Sequence, residues 1–117
     1  MTMLPHRDHE ERPWGSFDRF THNEASTVKI LRLTPGLRFS KQRHHERAEF
    51  WHVIKGSGTV EINDVAREVY VGDEAEIPVG ATHRLTAGPE GIEVLEIALG
   101  TFDENDNERL EDDFGRN

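Results

Sequence analysis

The chain has 117 residues, 34% of them hydrophobic and 32% charged, which is the size and composition of one soluble domain with a single core. It contains no cysteine, which excludes disulfides, thiolate metal sites and thiol nucleophiles. A net charge of −9 argues against a nucleic-acid partner, no apolar run approaches the ~20 residues of a membrane helix, and MTMLPHRDHEERPWG lacks the apolar stretch of a secretory signal, so a cytoplasmic location is expected.

Residues 1–25 are polar and are predicted to form an irregular arm packing on the body, with Trp14 and Phe17 pinning it. TVKILRL (27–33) reads as a strand ending at Pro35-Gly36, and LRFSKQRH (37–44) as the next. FWHVIK (50–55) and TVEIN (59–63) flank Gly56-Ser57-Gly58, which reads as a hairpin turn. Asn63-Asp64 leads into AREVYV (66–71), and Gly72-Asp73 into EAEI (74–77), stopped by Pro78. HRLTA (83–87) ends at Gly88-Pro89, and IEVLEIAL (92–99) is the last strong strand. Short strands separated by turn residues, with no long 3.6-residue period, predict an all-β sandwich or barrel over residues 26–102. Residues 103–117 form an acidic tail in which NERLEDDFGR is predicted to make one short helical turn.

The chemistry concentrates in Gln42-Arg43-His44-His45-Glu46-Arg47-Ala48-Glu49. On a strand, Gln42 and His44 share a face. A turn over His45–Ala48 would bring Glu49 to the same cavity on the next strand, and His83 opens a later one. Taken singly, none of these residues separates a ligand from an ordinary surface or core side chain. Together, two imidazoles, a carboxylate and an amide oxygen make an N/O donor set for one divalent metal ion. The surrounding stretch 27–45 carries Lys29, Arg32, Arg38, Lys41 and Arg43 and no acid, a local positive field in an acidic protein.

The spacing resembles the two cupin motifs. Gly36, Gln42, His44, Glu49 and Gly56 fit the first, with Gln in place of the more usual His, and Gly72, Pro78, Gly80 and His83 fit the second. The resemblance is closer still to the C-terminal domain of type II mannose-6-phosphate isomerases. It rests on Arg12-Pro13-Trp14-Gly15-Ser16-Phe17, Gln42-Arg43-His44-His45, Arg47-Ala48-Glu49-Phe50-Trp51, Gly80-Ala81-Thr82-His83-Arg84-Leu85 and Arg109-Leu110-Glu111-Asp112-Asp113-Phe114-Gly115-Arg116. In bifunctional relatives that domain follows a mannose-1-phosphate guanylyltransferase domain, for which a chain of this length and without a Gly-rich phosphate loop gives no sign.

The resemblance implies a double-stranded β-helix, a small antiparallel barrel holding metal at Gln42, His44, Glu49 and His83. Zinc or manganese is favoured over cobalt or magnesium. It also implies a phosphosugar substrate, with mannose 6-phosphate and fructose 6-phosphate interconverting through an enediol. Among the candidate catalytic residues, Arg84 is also the first candidate for the substrate phosphate, ahead of Lys41, Arg43 and Arg47. Glu46, His45 and His52 are the candidates for proton transfer. Two departures from the family pattern matter most: Glu46 and Phe50 stand where histidines are expected. His52 also stands where an aliphatic residue is usual. A non-catalytic sugar-binding or regulatory cupin and a metal-dependent oxygenase are the competing functions. A homodimer paired through sheet edges is expected.

Overall fold

The computed structural model describes residues 3–116. Its strands are β1 (Asp8–Arg12), β2 (Gly15–Arg19), β3 (Ser26–Leu33), β4 (Lys41–Arg43), β5 (Glu49–Ile62), β6 (Val65–Tyr70), β7 (Glu74–Ile77), β8 (His83–Leu99) and β9 (Glu108–Glu111). All pairing is antiparallel. Among the described residues no helix is long and apolar enough to cross a membrane.

Two long strands organise the barrel. β5 and β8 run side by side along nearly their whole lengths, from Glu49 opposite Ala98 to Ile62 opposite His83. β7 and then β6 pair with successive parts of β5, while β3 and β4 pair with opposite ends of β8. Gly56-Ser57-Gly58 is therefore not the expected hairpin turn. The register shifts between Gly56 and Gly58, and the strand continues. The glycines are there for approach: a Cβ on Gly56 would lie 2.1 Å from the Gly91 carbonyl oxygen, and one on Gly58 2.3 Å from that of Thr86. Gly88-Pro89 likewise lies inside β8 rather than ending a strand. Two short runs thus merge into one bent strand on each side, and the bends curve the sheet into a barrel.

Alternation along β5 sorts its side chains between two cores. Trp51 and Val53 face the interior with Val60, Leu85, Ile92 and Val94. Phe50 faces the opposite side and packs with Leu4 and Ile97, flanked by Phe20. Leu4 and Phe20 therefore fasten the N-terminal segment, while Trp14 is 73% exposed and fastens nothing. The segment is also not irregular, since β1 and β2 pair from Asp8 opposite Arg19 to Arg12 opposite Gly15. Phe17 lies under the guanidinium groups of Arg12 and Arg19, at 5.1 and 5.8 Å.

The predicted strand 37–44 shortens to β4, preceded by a single bridge from Arg38 to Thr86. The predicted helical turn in the tail is strand β9, which pairs with β4. Charge alternation explains this better than helical periodicity does. Glu108 and Glu111 meet Arg43 and Lys41 across the ladder, as oppositely charged neighbours do on a shared sheet face.

Candidate metal centre

His44 follows β4, Glu49 opens β5 and His83 opens β8, so three strand ends bring their side chains together inside the barrel mouth. His44 is 4% exposed, and Glu49 and His83 are each 2% exposed. Their candidate donor atoms lie within 4.8 Å of one another. Glu49 Oε1 stands 3.3 Å from His44 Nε2 and 3.5 Å from His83 Nε2. Gln42 is the register partner of His83 and lines the same cavity.

The donor chemistry fits a divalent cation. His44 Nδ1–H donates to the Asp106 carbonyl at 2.7 Å, and His83 Nδ1–H to the Ala81 carbonyl at 3.2 Å. A carbonyl only accepts, so each Nδ1 carries the proton, and in the neutral ring each Nε2 presents a lone pair to Glu49. Glu49 Oε1 is itself buried without a hydrogen bond. The Glu49 oxygen and the two Nε2 atoms thus face one another, with Arg47 Nη2 3.4 Å from His44 Nε2, a buried polar grouping whose desolvation cost a cation would reduce.

The electrostatics point the same way. Burial holds His83 down at about 4, so its ring is neutral. Burial opposes ionisation of Glu49, but its neighbours, of which the Arg47 guanidinium is always charged, hold the carboxyl below the ordinary carboxylate range. Arg47 Nε donates to Glu49 Oε2 at 3.2 Å, leaving Oε1 to face the imidazoles. The Arg47 guanidinium is anchored on the Asp103 carbonyl at 2.9 Å and lies 4.0 Å from the Phe102 ring centroid.

The cavity beside this cluster has a volume of about 200 Å³. Phe39 and Trp51 form apolar wall, and Lys29, Arg47, Arg109 and Arg116 are its cations. Glu96 also lines it, with its Oε2 accepting from Trp51 Nε1–H at 3.0 Å. Burial, reinforced by the Glu49 charge, pushes the Glu96 carboxyl up to about 7. The sequence reading did not single out Glu96. Its signal was available in IEVLEIAL, where alternation turns the second glutamate inward with Val94 and Ala98.

Several sequence candidates lie elsewhere. His45 and Glu46 are exposed at the rim, where their backbone N–H groups donate to the Asp106 carboxylate at 2.8 and 2.9 Å. His52 is on the outer face, with Nδ1 at 2.7 Å from Glu74 and its ring against Phe20. Arg84, one residue from His83, points the other way. It is 3% exposed and donates to the carbonyls of Phe39 and Glu111, each at 3.1 Å. Lys41 is paired with Asp64 and Glu111, and Arg43 with Glu108 at 3.0 Å. Of the four proposed phosphate partners only Arg47 lines the cavity. Neither departure from the family pattern touches the cavity lining, since Phe50 is in the outer core and Glu46 is at the rim.

Comparison with known proteins places this architecture. Residues 3–112 match the family model for the mannose-6-phosphate isomerase C-terminal domain. Alginate biosynthesis protein AlgA of Pseudomonas aeruginosa is 38% identical over 107 residues, which is 90% of this chain and 22% of that protein. The chain therefore spans about a quarter of the length of the curated relatives it matches. Oxalate decarboxylase of Bacillus subtilis, an enzyme with Mn(II) centres, superposes with a TM-score of 0.66 and 32% identity over 75% of this chain and 25% of that one. A cupin protein from Bacteroides fragilis superposes with a TM-score of 0.60 at 22% identity, covering 68% of this chain and 70% of that one. The barrel is a cupin, and the chain belongs to the mannose-6-phosphate isomerase C-terminal family.

Proposed function

We propose that this domain interconverts mannose 6-phosphate and fructose 6-phosphate as a metal-dependent aldose–ketose isomerase. The observation that carries the reading is the convergence of two buried imidazoles and a carboxylate oxygen without a hydrogen bond on a cavity also lined by Lys29, Arg47, Arg109 and Arg116. A divalent ion held by His44, Glu49 and His83, with Gln42 beside them, would supply Lewis acidity toward the oxygens on C1 and C2 of an open-chain sugar. Zinc and manganese both suit this donor set.

The chain's own groups do the rest. Arg47 occupies Glu49 Oε2, so a single carboxylate oxygen faces the ligand position. Phe39 and Trp51 exclude water from one side of the cavity. Glu96, oriented by the Trp51 N–H, is the buried cavity carboxyl outside the donor set, Glu104 being exposed and paired with Lys29, and we assign it to carry the proton between C1 and C2. Lys29, Arg47, Arg109 and Arg116 offset the carboxylates of Glu49 and Glu104 in the cavity, so it is less hostile to anions than the net charge of −9 suggests.

The purified chain supplied with Zn(II) or Mn(II) is expected to exchange the C2 proton of mannose 6-phosphate with solvent. It should also form fructose 6-phosphate in a coupled assay. Binding without exchange would leave a sugar-binding cupin in place of an isomerase. Iron-dependent oxygen consumption would replace it with an oxygenase. We also propose a homodimer formed through the free side of β3, where Val28 and Ile30 are 55% and 43% exposed. Sedimentation at twice the chain mass is the expected result.

A further inference from the structure

Arg109 differs from every other arginine in the described residues. Each of the others has an ion pair or a hydrogen bond, from Arg32 with Glu93 to Arg67 with the Glu74 carbonyl. Arg109 has neither. The other cavity cations are already engaged: Arg47 with Glu49, Lys29 with Glu104 and Arg116 with Asp112. Arg109 is exposed, where an unpaired guanidinium is ordinary, but it also lines the cavity.

Its direction follows from register. Gln42 is the partner of His83 on one side and of Arg109 on the other. Directly opposed residues of antiparallel strands share a face. His83, Gln42 and Arg109 therefore form a row across β8, β4 and β9 that starts at the buried donor cluster and ends at the cavity mouth. Two strand spacings separate the ends of the row, about 9–10 Å of backbone. The neighbours of Arg109 on the ladder, Glu108 and Glu111, are spent on the other face against Arg43 and Lys41.

We infer that Arg109 anchors the terminal phosphate of the sugar, and that the His83–Gln42–Arg109 row measures the distance between the reacting end and that phosphate. The inference rests on the phosphosugar reading above. A guanidinium without a partner can offer a phosphate two parallel N–H donors with no ion pair to break first. The row favours a six-carbon sugar phosphate over a three-carbon one, because the shorter molecule cannot meet the donor cluster and Arg109 together.

The test is calorimetry on the metal-loaded chain with mannose 6-phosphate, mannose, glyceraldehyde 3-phosphate and inorganic phosphate. Wild type should prefer mannose 6-phosphate over both mannose and glyceraldehyde 3-phosphate. Arg109→Gln should lose about 10- to 100-fold in mannose 6-phosphate affinity, leaving mannose binding and metal content unchanged. Arg109→Lys should recover part of the loss, and Arg43→Gln should show none. Equal mannose 6-phosphate affinity in wild type and Arg109→Gln would overturn the anchor while sparing the phosphosugar reading. Arg109-dependent binding of inorganic phosphate, with mannose 6-phosphate unrecognised by wild type, would keep an anion site and overturn the sugar reading. An undiminished affinity for glyceraldehyde 3-phosphate would overturn the ruler.

Discussion

The ribbon made by β4 and β9 has two faces built from the same few residues, and they behave oppositely. On the outer face, Lys41 meets Glu111 and Asp64, and Arg43 meets Glu108, so each charge is answered locally. On the inner face, Gln42 and Arg109 line the cavity, and among the described residues the Arg109 charge has no ion-pair partner. Exposed pairs of the first kind contribute little to stability, with a median of about 0–1 kcal/mol, but they engage the outer cations away from the cavity. Proximity in sequence to a metal donor is thus a poor guide to function, because alternation sends adjacent residues to opposite faces. Arg84 beside His83 is the sharpest case.

The largest expected effect comes from breaking the inner face at its donors. Alanine at His44 or His83 should weaken divalent-ion binding by more than about 100-fold and abolish isomerisation, since even loss of an outer-shell partner costs about 10- to 100-fold. The double variant Lys41→Ala/Arg43→Ala should keep its metal. Elemental analysis after dialysis reads both, and stoichiometric metal in a His44→Ala/His83→Ala protein would remove the site. Next in size is Glu96→Gln, which preserves shape and the contact with Trp51. It should lower kcat by about 10²–10⁴-fold with metal content and mannose 6-phosphate affinity unchanged. An unaltered kcat would return the proton transfer to another group.

Arg84 tests the opposite limb of the comparison. Its guanidinium ties β8 to the Phe39 and Glu111 carbonyls, so Arg84→Met removes both hydrogen bonds at once. The expected result is a loss of about 1–3 kcal/mol in urea unfolding, with mannose 6-phosphate affinity preserved. A selective loss of phosphosugar binding at full stability would instead make Arg84 a ligand contact.

The strands and the donor set were legible because they obey local rules. The two-residue period marks Gln42 and His44, while Glu49 and His83 are marked by the resemblance of the glycine and proline spacing to the cupin motifs. What failed depended on partners far along the chain. Gly56 and Gly58 look like a turn until β8 is laid alongside, when the crossing at Gly91 and Thr86 explains them. The tail looks helical until β4 supplies cations for Glu108 and Glu111. The face presented by Arg84, Lys41 and Arg43 is set by which strands flank them, and single-chain alternation leaves that choice open. Glu96 was hidden for another reason: a glutamate within an apolar strand announces burial, but only the packed barrel shows that it borders the donor cluster.

The smallest expected effect lies farthest from the cavity, in the β1–β2 hairpin. His9 sits between two carboxylates, with Nε2 2.9 Å from Glu11 and Nδ1 2.8 Å from Asp18. The hydrogen bond to Glu11, then that to Asp18, raises its pKa above the ordinary 6.5. A raised folded-state pKa means that the imidazolium favours the folded hairpin. That contribution is present in full below pH 6.5 and is lost as pH rises through the raised value. Amide exchange across residues 8–19 should therefore be slower, relative to its intrinsic rate, at pH 6 than at pH 8.5. The barrel amides of β5 and β8 should show no such difference. In an NMR titration His9 should fall back toward 6.5 in Glu11→Gln and Asp18→Asn. A His9 that already titrates at 6.5 in wild type would show that main-chain pairing alone holds the hairpin. The outer charges would then be neutral bystanders there, as they are expected to be on β4 and β9.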